Sequence, residues 1–261
     1  MPSENHIDIS KITLPIIIVV DASGSNRGYP MTLINSMIKD CIGYLARFDK
    51  KSDYAIKIGV LKYNIGCEWI TKDALMRPDE VELQWEDIVP IGYGELGCAL
   101  HELNSKLSRY ELLKEYTHLC RPVILFISDG AVSSIDEQYQ DSIDKLWSNK
   151  WFTHSIRLAI CIGNICDQDV LFRLVGNGGQ VIETGECNPE CFDKNVPLLS
   201  ILLEKILERG FKDSEHLMPE PKSILVYDVY RNGSQLMGHK AELLIESINN
   251  ECDSWDEDDW L

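Results

Sequence analysis

The chain has 261 residues, 44% of them apolar and 26% charged, the balance of a folded globular protein of one to two domains. A net charge of −17 argues against a protein that grips nucleic acid by neutralising phosphates, and against one that lies on an anionic membrane. No apolar run nears the ~20 residues of a membrane span, and the polar start MPSENHIDIS lacks a basic stretch and a cleavage site, so the expected location is the cytoplasm.

In chain order, Leu14–Val20 (LPIIIVV) is a continuous apolar run, as expected of a strand buried on both faces. The loop DASGSNRG follows. Tyr29 to Phe48 then repeats apolar residues at helical spacing. Residues 54–61 (YAIKIGVL) alternate and predict a second strand. Cys67–Thr71 and Val81–Trp85 read as short strands around Arg77-Pro78-Asp79. Gly92–Gly97 is a glycine-rich loop, and Leu96 to Leu119 carries a helical period. Val123–Ile127 (VILFI) predicts another buried strand, turned by Asp129-Gly130. A helix around Asp136–Asn149, a strand at Ile156–Ile162, a helix at Asp167–Val175, a short strand at Gln180–Ile182 and an apolar helix at Val196–Leu207 complete this part.

Strands alternating with helices predict an α/β fold: a doubly wound, mostly parallel sheet with helices on both faces. Ligands bind such sheets beyond the carboxyl ends of the strands, at the switch point. Two predicted strands end in acids at that edge, Val20 running into Asp21 and Ile127-Ser128 into Asp129. The expected division is a lead at 1–13, the main domain at 14–208, and a linker with a small strand and helix at 209–249 (strand Ser223–Tyr230, helix Leu236–Ile248). An acidic tail at 250–261 follows. Six acids crowd its last eleven residues with Trp255 and Trp260, aromatics of the kind that anchor interfaces.

Nine cysteines scattered from Cys41 to Cys252 show no framework spacing and read as free thiols in a reducing cytosol. Cys161 reads as a small buried hydrophobe within its strand. Cys187 and Cys191, with Cys166 as a third, are the zinc alternative, which lacks a matching Cys/His pair.

Asp21-Ala22-Ser23-Gly24-Ser25 places a carboxylate and two hydroxyls on one strand-end loop. A hard cation such as Mg²⁺ takes about six oxygens and keeps several waters, so such a loop can supply part of its shell. The plainer reading of the pentapeptide is a turn and helix cap. LPIIIVVDASGS, GYGELGCAL and RPVILFISDG, in this order, resemble the von Willebrand factor A domain. The likeness covers about Leu14 to Glu208, and its texture is similar to the bacterial TerY-like, tellurite-resistance-associated branch. The resemblance implies a metal-ion-dependent adhesion site used for protein–protein contact rather than catalysis. Asp21, Ser23 and Ser25 match its first loop, and Asp129 the third-loop acid that acts through water. The middle loop departs from the pattern: its threonine position falls on Gly94, so that either water replaces that ligand, or Glu95 bends in, or the site binds metal poorly. Mg²⁺ or another divalent cation is the implied cofactor. Other proteins, contributing a carboxylate to the metal, are the implied partners, with Tyr93, Trp255 and Trp260 as candidate contacts. The branch is associated with kinase- and phosphatase-type partners in stress-response or anti-phage systems.

The competing reading is a hydrolase of the haloacid-dehalogenase or another Rossmann-like type. That chemistry needs D-x-D after the first strand, to protonate the leaving group, and Ser23 stands where the second acid should be. No G-x-G-x-x-G follows the first strand, and no Walker A loop is present.

Overall fold

A continuous apolar run can stay dry only between two layers. LPIIIVV does so as the centre of β1 (Ile12–Asp21), buried from Thr13 onward. Ile16, Ile18 and Val20 enter one core and Ile17 and Val19 the other. Each such side chain, fully buried, contributes roughly 1.5–3 kcal/mol. The computed structural model describes residues 12–210 except 53, 117, 134, 135 and 137.

After β1 the elements are α1 (Tyr29–Asp49), β2 (Tyr54–Asn64), β3 (Gly66–Trp69), α2 (Pro78–Gln84), α3 (Leu96–Lys106), β4 (Val123–Ser128), α4 (Tyr139–Trp147), α5 (Lys150–Thr153), β5 (Ile156–Cys161), α6 (Gln168–Val175), β6 (Gln180–Glu183), α7 (Pro189–Asn195) and α8 (Leu198–Gly210). The sheet order is β3-β2-β1-β4-β5-β6, parallel except for the β2–β3 hairpin. The chain moves outward from β1 to β2 and β3, then crosses to β4 on the other side, so the switch point lies between β1 and β4. Side chains of α1, α2 and α8 fill the core on one face; those of α3, α4, α5 and α6 fill the other. The predicted doubly wound architecture is the one observed.

Local differences have physical causes. Val81–Trp85 is not a strand: Pro78 at the first helical position, acids in the first turn and the Glu80 side chain accepting from Arg77 N (3.0 Å) make it the body of α2. The helix from Leu96 stops at Lys106, because Leu107 turns to ψ 72° and Leu112 and Leu113 reach the core from turns instead. Α7 arises from Asn188, whose side chain accepts from Cys191 N (3.1 Å), with Pro189 next. Trp147 and Trp151 pack against the second core; Arg157 stacks 4.8 Å from the Trp147 ring and Arg109 5.5 Å from that of Trp151.

The free-thiol expectation needs correction at one pair: Cys161 and Cys166 form a disulfide. The strand ends at Cys161, and a turn through Gly163 at φ +85° brings Cys166 back beside it. Neither is a lone buried hydrophobe, and Cys166 is not available to a zinc site with Cys187 and Cys191. The strand expected at Ser223–Tyr230, the helix at Leu236–Ile248, and Trp255 and Trp260 lie outside the described residues.

Candidate metal centre

Strand register builds the site. Asp21 pairs with Tyr63 of β2 on one side. On the other, Val20 pairs with Ile127, which sets Asp21 level with Ser128. The sequence pattern flagged Asp21 but neither neighbour. Tyr63 and Ser128 are buried, and they hold the carboxylate from across the sheet. Asp21 Oδ1 accepts from Ser23 N (2.8 Å) and Oδ2 from the Ser128 hydroxyl (3.0 Å). Ser128 Oγ in turn accepts from the Tyr63 hydroxyl (2.9 Å) and from Gly130 N (2.9 Å), which uses its donor and both lone pairs. Burial, reinforced by the charge of Asp21, pushes the Tyr63 phenol well above its usual range, so Tyr63 stays a donor.

Asp21 is fully buried. Burial lifts its carboxyl to about 6, against the pull of the Ser23 hydrogen bond and with the help of the like charge on Asp129. Ser23 and Ser25 place their hydroxyl oxygens 2.8 Å apart in the same loop, Ser23 buried and Ser25 exposed. Asp129 is half-buried, and its Oδ1 accepts from Ala131 N (2.9 Å). The four expected residues therefore share one edge. A buried carboxylate repelled by a second one, with hydroxyls beside it, is a donor set that fits a hard divalent cation. Among the described residues no group of three or more His, Cys, Asp or Glu forms a metal site. The donors this edge offers are the oxygens of two carboxylates and two hydroxyls.

The middle loop is pinned to the first by backbone bonds: Ile91 N to Ala22 O (2.9 Å) and Gly24 N to Gly92 O (2.8 Å). Gly94 is buried at the site. A Cβ there would lie 3.5 Å from Ser23 Cβ and 3.7 Å from Asp21 Oδ1. Position 94 thus faces the Asp21 carboxylate, as the matched pattern implies, but brings no oxygen. Glu95 does not replace it. Its Oε2 accepts from Gly66 N (2.9 Å) in the β2–β3 turn, and the Tyr93 hydroxyl bonds it, an interaction that raises the Tyr93 phenol. The expectation that Glu95 bends in as a ligand is corrected: the turn's unpaired N–H claims the carboxylate. Tyr93 is 40% exposed, and further apolar side chains are exposed on segments leaving the same edge, Tyr29, Ile65, Ile91 and Ile165.

The third loop is set by close packing. Gly130 has φ +74°, and a Cβ there would fall 2.2 Å from Asp167 O, while Asp167 N donates to Asp129 O (2.8 Å). Asp167, the residue after Cys166, therefore buttresses Asp129 and Gly130.

No protein-family model matches the sequence. Among curated proteins, voltage-dependent calcium channel subunit alpha-2/delta-4 of Homo sapiens is 29% identical over 133 residues, 48% of this chain and 11% of that protein. Among solved structures, a von Willebrand factor type A protein from Catenulispora acidiphila superposes with a TM-score of 0.52 at 13% identity, covering 73% of this chain and 42% of that one. Proximal thread matrix protein 1 from the mussel byssus gives 0.52 at 17%, covering 74% and 46%. The PilB minor pilin of Streptococcus sanguinis gives 0.51 at 11%, covering 74% and 62%. The chain thus spans under half of the first two structures and about a tenth of the channel subunit. The fold is the Rossmann-like von Willebrand factor A fold. The candidate site on it is the edge where Asp21, Ser23, Ser25 and Asp129 meet.

Proposed function

We propose that this chain is a non-catalytic adaptor that binds other proteins through a divalent cation held by Asp21, Ser23, Ser25 and, through water, Asp129. The observation that carries the reading is the fully buried Asp21 carboxylate, lifted to about 6 by burial and facing a second acid, at the switch point of the sheet. A cation such as Mg²⁺ supplies the countercharge and a coordination position for a carboxylate from outside. The chain's own residues do the rest. Tyr63 and Ser128 fix the Asp21 carboxylate, and the Ile91 and Gly92 backbone bonds fix the middle loop. Tyr93 and the exposed apolar side chains beside it give a partner something to bury against. Gly94 offers no oxygen, so a bound cation would keep water at that position and be held weakly.

The finer placing, in the TerY-like branch with kinase- or phosphatase-type partners in a bacterial stress-response or anti-phage system, rests on the texture of LPIIIVVDASGS and RPVILFISDG alone. A cytoplasmic location goes with it, and the Cys161–Cys166 disulfide bears against that location. Among the described residues no helix is long and apolar enough to cross a membrane.

Thermal melts in a Mg²⁺ or Mn²⁺ titration test the reading. Binding to the folded state raises Tm by mass action, and Asp21→Ala abolishes that rise while remaining folded. An unchanged wild-type melt at millimolar cation overturns the metal-dependent part of the proposal.

A further inference from the structure

Outside the candidate centre, β3 docks on α3 through a short row of contacts. Gly66 N donates to Glu95 Oε2 (2.9 Å), and Trp69 Nε1 donates to Glu102 Oε1 (2.9 Å). Between them Cys67 Sγ lies 2.9 Å from Cys98 Sγ. Positions 95, 98 and 102 are spaced three and four apart, so they share one face of the helix start. The flanking hydrogen bonds hold the two sulfurs together without any covalent link. Both cysteines are free thiols and half-buried. A disulfide needs about 2.05 Å between the sulfurs, so closure requires under about 1 Å of movement.

We propose that Cys67 and Cys98 are a thiol–disulfide exchange site, closed by small disulfides of the oxidised-glutathione class, whose bond staples edge strand β3 to α3. Burial, the contact with Cys98 and the charges of Glu102 and Glu95 push the Cys67 thiol up, so Cys98 loses its proton to solvent first and its thiolate attacks a sulfur of the small disulfide. A mixed disulfide forms, and one glutathione thiolate leaves and takes up a proton. Cys67 then gives its proton to solvent as it attacks the Cys98 sulfur of the mixed disulfide, and the second glutathione thiolate leaves and takes up a proton. Two electrons pass from the cysteine pair to the small disulfide, and two thiols are released.

The staple sits where it reaches the middle loop. Cys98 is in the first turn of α3, just beyond Gly94 and Glu95. Cys67 follows Gly66, which Glu95 holds, and Ile65, whose side chain packs on Gly92. The closed loop joins residues 31 apart, which constrains the unfolded chain. The exchange chemistry stands independently of any cation bound at Asp21.

The full chain is incubated with oxidised glutathione, alkylated, digested without reduction and mapped. The expected result is a linked peptide pair containing Cys67 and Cys98, reversed by dithiothreitol, and a Tm rise of roughly 5–10 °C. Cys98→Ser loses both the link and the rise. The same map on a Cys161→Ser/Cys166→Ser double variant still contains the Cys67–Cys98 link, which separates it from reshuffling of the existing bond. A mixed disulfide that persists on either cysteine, or free alkylation of both, overturns the proposal.

Discussion

The first and middle loops meet at the same carboxylate and are built oppositely. The first carries an oxygen at every position that faces the site: Asp21, Ser23 and Ser25. The middle loop faces the site through Gly94, which carries none, and sends its one acid, Glu95, outward to Gly66 N. Both are equally well fixed, since backbone bonds at 2.8–2.9 Å join them. The difference lies in chemistry and not in order. A side chain's place in the chain says which edge it belongs to, whereas the nearest unpaired backbone group decides where it points.

The largest effect is expected from disturbing the third loop, which holds Ser128 against the Asp21 carboxylate. Gly130→Ala puts a Cβ 2.2 Å from Asp167 O at φ +74°. The expected cost is about 2–4 kcal/mol, from left-handed strain and overpacking together. Urea denaturation reads it. Because Gly130 N also holds Ser128 Oγ, the cation-induced Tm rise should fall with it. A variant as stable as wild type would show that the third loop yields more readily than its packing indicates.

The next effect separates the acid of the first loop from its surroundings. The Asp21 carboxyl stands at about 6 in the fold against 3.8 as an ordinary Asp, raised by burial first. The folded state therefore binds this proton more tightly than the unfolded one. Asp21's contribution to stability is fully present below pH 3.8 and is lost as pH rises through about 6. The loss is on the order of 2–3 kcal/mol without metal. Urea melts from pH 4.5 to 7.5 should show this fall in wild type and not in Asp21→Asn. Saturating Mg²⁺ should flatten it, because the cation takes the proton's place.

These two cases also mark what the sequence discloses. Apolar runs such as LPIIIVV and VILFI name the central strands because nothing else is apolar on both faces, and an acid ending each run names the edge. Tyr63 and Ser128 are invisible at that level. Their role follows from parallel register, which depends on how three distant segments pair. Val81–Trp85 misleads because a two-turn helix buries few residues and leaves too little period to tell from alternation. The Cys161–Cys166 bond hides for a similar reason: it requires a strand end and a left-handed turn at Gly163, and spacing alone encodes neither.

Giving the middle loop the oxygen it lacks has the smallest expected effect and bears most directly on its difference from the first loop. Gly94 is not among the glycines with positive φ, so a β-branched residue there meets no left-handed strain. The room is adequate but close. A Cβ would lie 3.3 Å from Tyr63 Cε2, so the ring must give by a few tenths of an ångström. From a Cβ 3.7 Å from Asp21 Oδ1, a threonine hydroxyl can turn toward the carboxylate, where it donates without metal or joins the shell with it. Replacing one water ligand by a fixed hydroxyl removes part of the ordering cost of binding, so Gly94→Thr should tighten Mg²⁺ about tenfold, near 1.4 kcal/mol. Calorimetric titration beside wild type measures the change. Equal affinities in a folded variant would mean that position 94 does not reach the cation. The weakness of the shell would then lie in the first loop, where Ser25 is the exposed member.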